Sequence, residues 1–219
     1  LQNHLLFPST PEAQGDAVLD AALIKECADP TLKPAIVEQF VSAAGSADPL
    51  AVTVKSGGRL ILVPKATSAD EAMAIVRQYV GQAVVRVGLT QFPAGVGAKN
   101  AADLQPALVD ACKNLRKGTS IFAKVLRIVA KWYGNPKSQD AFPHIFEDAV
   151  YAWKTGEFEG VSVFQAPDPG GSVPPNYVRP SDKEDSDTGT APDPKSESPE
   201  NDAVGSAEMR IDLSRIGGR

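Results

Sequence analysis

Cysteine, histidine and long apolar runs are scarce in this 219-residue chain, and each shortage removes a class of function. The two histidines, His4 and His144, lie far apart in sequence and read as structural or exposed residues, with no metal site expected. The two cysteines, Cys27 and Cys112, fit no zinc spacing, which needs further ligands close by. No stretch approaches the ~18 apolar residues that cross a bilayer, so no transmembrane segment is expected. The opening LQNHLLFPST lacks a basic start, a long apolar core and a small-residue cleavage site, so it does not read as a secretory signal. The chain starts at Leu1, and Val18 reads as an alternative start. Ala94-Gly95-Val96-Gly97 lacks the Lys-Ser/Thr ending of a phosphate loop. No serine sits in a nucleophile elbow, and no cofactor is expected.

Charge is unevenly placed. Residues 181–202 hold eight acidic side chains and two lysines, which leaves the remainder of the net −5 chain near +1. A nearly neutral body with an acidic tail does not attract nucleic acid as a whole.

The pattern along the chain is that of a mainly α (α+β) protein with a small β-hairpin. Residues 1–20 read as a flexible N-terminal arm, 21–165 as a folded domain, and 166–219 as a disordered acidic tail. In that tail Pro, Gly, Ser and acids leave too little apolar surface to offset ordering entropy. Within it Met209, Ile211, Leu213 and Ile216 form a weak apolar pattern, readable as a docking peptide or as chance. A short helix is predicted over 21–27. A second runs from Thr31 through Leu32, Ile36, Val37, Phe40 and Val41 to a stop at Gly45. Residues 51–54 and 60–63 flank Lys55-Ser56-Gly57-Gly58 as a hairpin. Ser68 and Glu71 have capping-box spacing for a third helix with Met73, Ile75, Val76 and Val80 inward. Residues 84–99 read as loop. The longest helix spans 110–132, and a last one runs from near Pro143 to Thr155 and closes at Gly156.

On the 110–132 helix, Lys113, Arg116, Lys117, Lys124, Arg127 and Lys131 fall within about a 100° arc opposite the apolar face. Such a stripe reads as a solvated face or as a site for an anionic partner, nucleic acid included. The cysteines read either as two buried thiols or as one disulfide, worth on the order of 4 kcal/mol in the chain-entropy model.

Four segments, in order, resemble the lytic-transglycosylase component of type IV secretion systems. Cys27-Ala28-Asp29-Pro30, an apolar helix, and Gly45-Ser46-Ala47-Asp48-Pro49-Leu50-Ala51-Val52 are similar to the family's Cys-Ala-Pro, helix, and Glu-Ser-x-x-Asn/Asp-Pro-Leu-Ala-Ile. Val87-Gly88-Leu89-Thr90-Gln91-Phe92 resembles Val-Gly-Leu-Met-Gln-Ile. Residues 108–116, with Cys112, Asn114, Leu115 and Arg116, resemble Leu-x-Asp-Pro-Cys-x-Asn-Leu-Arg. Residues 149–158, with Ala152, Trp153, Lys154 and Gly156, resemble Ala-Leu-Ser-Ala-Tyr-Asn-Thr-Gly-Asn-Phe. The chain as a whole also resembles the TraH proteins of conjugal transfer regions on rhizobial-type plasmids, through residues 23–30, 122–129 and 131–136.

These resemblances imply a lysozyme-like domain, a role in plasmid conjugation, and peptidoglycan or channel proteins as partners. They also imply a Cys27–Cys112 disulfide, because both positions coincide with family cysteines. That pairing points to the periplasm or envelope, whereas the missing signal leaves the cytoplasm open. In the transglycosylases a glutamate at the end of the helix after the first cysteine protonates the glycosidic oxygen and then acts as base. Here that position is Ala44, with Gly45 in place of the next serine, and a methyl group donates no proton. The expected protein is therefore a non-catalytic module with cleft candidates Thr90, Gln91, Tyr151, Trp153, Lys154 and Glu157. Gln91 reads equally as a backbone-bonding residue of the cleft wall, and Trp153 as core. The rivals are an active transglycosylase with its acid relocated to Glu38, Asp48 or Glu157, and a cytoplasmic adaptor that binds DNA or relaxase through the basic helix.

Overall fold

The computed structural model describes residues 19–98 and 100–173. All lie in one compact unit within Leu1–Pro180; a second unit, Ser181–Arg219, falls outside the described residues. So do His4, Val18, the apolar pattern at 209–216 and nearly all of the stretches read as arm and tail.

Helix α1 (Ala21–Cys27) starts where Asp20 accepts the N–H of Ala22. Asp29 then turns the chain, accepting from the backbone N–H and hydroxyl of Thr31. Helix α2 (Pro34–Ala44) begins with proline at its first position, where the missing N–H costs nothing. It starts three residues later than the apolar spacing predicts. Leu32 is buried from the turn and not from the helix, so its place in the pattern reflects burial without helical backbone.

Strands β1 (Val52–Ser56) and β2 (Arg59–Ile61) form the predicted hairpin around Gly57 and Gly58, both at positive φ as a two-residue turn requires. Helix α3 (Ala69–Tyr79) opens with Ser68 accepting from the Glu71 N–H. Glu71 reaches back to the N–H and hydroxyl of Thr67, one residue beyond an ordinary box.

Residues 84–99 are not simply loop. Strand β3 (Val84–Val87) pairs antiparallel with β1, and β4 (Phe92–Pro93) pairs with β3, giving the order β2-β1-β3-β4. Val85 and Val87 face inward while Val84 is exposed, a period-two pattern only four residues long that the surrounding glycines hide.

Helix α4 (Ala111–Trp132) is capped by Asp110, and helix α5 (Phe142–Thr155) ends at left-handed Gly156. A small hairpin follows, β5 (Glu157–Phe158) with β6 (Val161–Ser162), which no sequence signal had marked. The chain then stays ordered past residue 166. Lys124 donates to the carbonyls of Phe164 and Ala166, and Arg127 holds Asp168 with a fork of two bonds. Residues 164–168 are thus tied to α4 by polar bonds, while residues 167–172 are exposed.

Cys27 and Cys112 are joined by a disulfide that ties the end of α1 to the start of α4. The core centres on Trp153 of α5, edge-on to Phe40, Phe122, Phe92 and Phe164, with Phe40 stacked on Phe122 at 3.9 Å. The indole therefore packs together side chains of α2, α4, the sheet and the chain after α5.

Candidate functional site

The tight turn after β3, residues 88–91, is gripped from four directions. Gly88 has φ +72°, and a Cβ there would lie 2.5 Å from the Asn114 amide. Asn114 of α4 is buried and fully used. Its Oδ1 accepts from the N–H and the hydroxyl of Thr90, and its Nδ2 donates to the carbonyls of Val87 and Leu108. Helix α4 comes this close because residue 118 is glycine; a Cβ there would sit 2.2 Å from Thr90 Oγ1. Trp153 donates its indole N–H to the Thr90 carbonyl at 3.1 Å. Gln91, at φ 47°, folds its amide back onto the Gly88 carbonyl, 3.1 Å away.

Arg86 joins this turn to the end of α5. Its guanidinium donates to the carbonyls of Gln91, Trp153 and Lys154 at 3.1, 2.7 and 2.8 Å. Two of these are last-turn carbonyls of α5, where a helix dipole favours positive charge. Burial pushes the Arg86 pKa down to about 10, so it stays charged at neutral pH.

The end of α2 meets the same turn. The Ser46 N–H donates to the Leu89 carbonyl at 2.9 Å. A Cβ at Gly45 would lie 2.2 Å from that oxygen, so the backbone approaches closer than any side-chain-bearing residue allows. Glycine at position 45 is thus set by backbone contact with the turn. Ala44 itself is half-buried against the core.

Thr90, Gln91 and Trp153 are brought together and are buried, with their polar atoms bonded within the protein. Tyr151, Lys154 and Glu157 are exposed. Lys154 touches the cluster through its carbonyl, accepting from Arg86. Asn114, Arg86 and Gly118 are the organising residues that sequence reasoning did not single out. Asn114 stood within one of the four motifs, which was the available signal.

Of the relocated-acid candidates, Glu38 lines a cavity of about 430 Å³ with Val41, Gly45 and Ser46 at the end of α2. It also lines a cavity of about 620 Å³ between α2 and α5, together with Ser42, Ala43, Phe146, Glu147 and Val150. Asp48 accepts from the Leu50 N–H and sits 3.6 Å from Lys65. Among the described residues no group of three or more His, Cys, Asp or Glu could hold a metal ion, and no helix is long and apolar enough to cross a membrane.

The basic stripe of α4 is not one solvated face. Arg116 donates to the Glu26 carbonyl, Lys117 lies 4.5 Å over the Phe92 ring, and Lys124 and Arg127 hold residues 164–168. Burial lowers the Lys117 pKa, and it lowers that of Lys124 against the opposing pull of Asp168. Half-buried Lys124 and Arg127 thus tether later chain to α4, while Lys113, Arg116, Lys117 and Lys131 are exposed.

A model of the TraH_2 family matches residues 18–218. A relative from Sinorhizobium fredii (strain NBRC 101917 / NGR234), described as uncharacterized protein y4dP, is 82% identical over 202 residues. That match covers 92% of this chain and 100% of the relative. No solved structure matches this chain.

Proposed function

Because the chain belongs to the TraH_2 family, we propose that it is an accessory protein of plasmid conjugal transfer, a lysozyme-like module that binds glycan strands or secretion-channel components without cleaving them. The family supports the role in transfer. The finer reading rests on one observation. The four segments that resemble lytic transglycosylases converge on residues 88–91 through Ser46, Asn114 and Trp153, while Ala44 stands where the acid belongs. A scaffold held this way, without a proton donor, retains a shape for binding and lacks the step worth about 10²–10⁴-fold in rate. The Cys27–Cys112 bond favours an oxidising compartment, the periplasm or envelope.

The test is to incubate the purified chain with peptidoglycan sacculi. It should be retained on them, or on channel proteins, and release no anhydro-muropeptides; clear release by the wild type sinks the reading. Ala44→Glu is not expected to create activity, since Gly45, Trp153 and Lys154 also differ from the family pattern. The second reading, an active enzyme with Glu38 as acid, is favoured by the cavity that Glu38 and Glu147 share. In that case the wild type cleaves and Glu38→Gln does not.

A further inference from the structure

The face of the sheet away from the core is apolar and cationic together. Lys55 of β1 lies opposite Leu60 on one side and Val84 on the other, which places the three on one face. The neighbouring rung, with Val54 and Val85 buried, faces inward. Leu60, Leu62 and Val84 are 59%, 89% and 55% exposed, an unusual concentration of bare aliphatic surface. Leu62 follows directly after the end of β2 and is the most exposed of the three. Lys65 follows the leucines in the chain and is exposed, whereas Arg59, paired with Ser56 at the tip, alternates to the other side. Residues 49–69 and 72–102 carry no carboxylate side chain, although the chain as a whole is acidic. The nearby acid is Asp48, 3.6 Å from Lys65. At the hairpin tip nothing lies within 4 Å of where a Cβ would stand on Gly57 or Gly58, so the tip projects into open space.

We propose that this hairpin face docks on an anionic phospholipid surface, with Leu60, Leu62 and Val84 entering the headgroup–acyl boundary and Lys55 and Lys65 meeting the phosphates. Aliphatic side chains beside lysines match the chemistry of that boundary. A sugar surface would call for aromatic platforms and amide or carboxylate partners, and the exposed rings Trp132, Tyr133 and Tyr151 lie on or beside α4 and α5 instead. Pairing of β2 with a second copy is opposed by Arg59 on the edge strand and by Pro64 just beyond it. The local positive field prevails over the net charge because charges beyond a Debye length of about 8 Å are screened. This inference is independent of glycan binding.

The full chain is sedimented with phosphatidylcholine vesicles with and without phosphatidylglycerol. Binding is expected on the phosphatidylglycerol vesicles alone and should weaken with salt. Leu62→Ser should lower partitioning roughly tenfold and Lys55→Gln about fivefold, with unchanged melting temperatures because both side chains are exposed. The proposal is overturned if phosphatidylglycerol vesicles bind nothing, or if Leu62→Ser binds like the wild type. It is also overturned if the same substitutions abolish retention on sacculi, or a self-association, while vesicles are ignored.

Discussion

Asn114 and Thr90, twenty-four residues apart, are joined twice: one amide oxygen accepts both the backbone N–H and the hydroxyl of the threonine. The same amide group donates to Val87 and Leu108, so every hydrogen-bonding site of the side chain is spent inside the protein. Asn114→Ala leaves several buried groups unpaired at about 1–3 kcal/mol each. The expected loss is about 3 kcal/mol, read as a lower urea midpoint at unchanged slope. A variant as stable as the wild type would show that the turn does not depend on this contact.

Gly118→Ala sets two known effects against each other. Alanine in a helix interior is normally worth about 1 kcal/mol over glycine. Here the new methyl would stand 2.2 Å from Thr90 Oγ1 and 2.4 Å from its Cβ. Overlap with a branched, fully buried side chain wins, and a net loss of about 1–3 kcal/mol is expected in denaturant unfolding.

Arg86→Met retains the length of the side chain and removes three donors from the carbonyls of Gln91, Trp153 and Lys154. Bonds to a charged donor are stronger than neutral ones, so a loss of about 2–4 kcal/mol is expected. Arg86→Lys should recover only part of it, because a single ammonium cannot span the same three oxygens. Thermal melts of the three proteins decide the ranking.

The Asp168–Arg127 pair should show itself through pH. The hydrogen bond from Arg127 holds the Asp168 carboxyl below its ordinary value of 3.8, and Asp168 in turn raises the pKa of Arg127. A depressed folded-state pKa means that the stabilisation is present above pH 3.8 and disappears as pH falls through the folded value. The gap in melting temperature between wild type and Asp168→Asn should therefore be constant near neutrality and close below about pH 3.8. For a partly exposed pair the gap is small, under about 1 kcal/mol. A gap that widens in acid would contradict the assignment.

The helices were readable because their signals are local. Ile36, Val37, Phe40 and Val41 repeat with helical spacing, Ser68 and Glu71 mark a start, and Gly156 marks a stop. Strand β3 was not readable: four residues among glycines become a strand only when β1, more than thirty residues earlier, lies beside them. The gripped turn shows the same limit. Resemblance pointed to Thr90, Gln91 and Trp153, but Arg86 meets α5 across 67 residues and Asn114 meets Thr90 across 24. Their roles exist only in the folded arrangement. The basic stripe misled for a related reason, since a helical wheel shows which side a lysine occupies and not what later chain folds over it. Charge reversal at Arg116, Lys124 or Arg127 would disturb packing before it tested any nucleic-acid contact.

The bond between Cys27 and Cys112 encloses all four strands of the larger sheet. A protease that nicks the backbone once between these positions would release no fragment. The severed pieces would run as one band on a non-reducing gel and part only when a thiol is added. Damage to the hairpin face could thus go unseen by size alone, and a nicked molecule would still carry both of its ends.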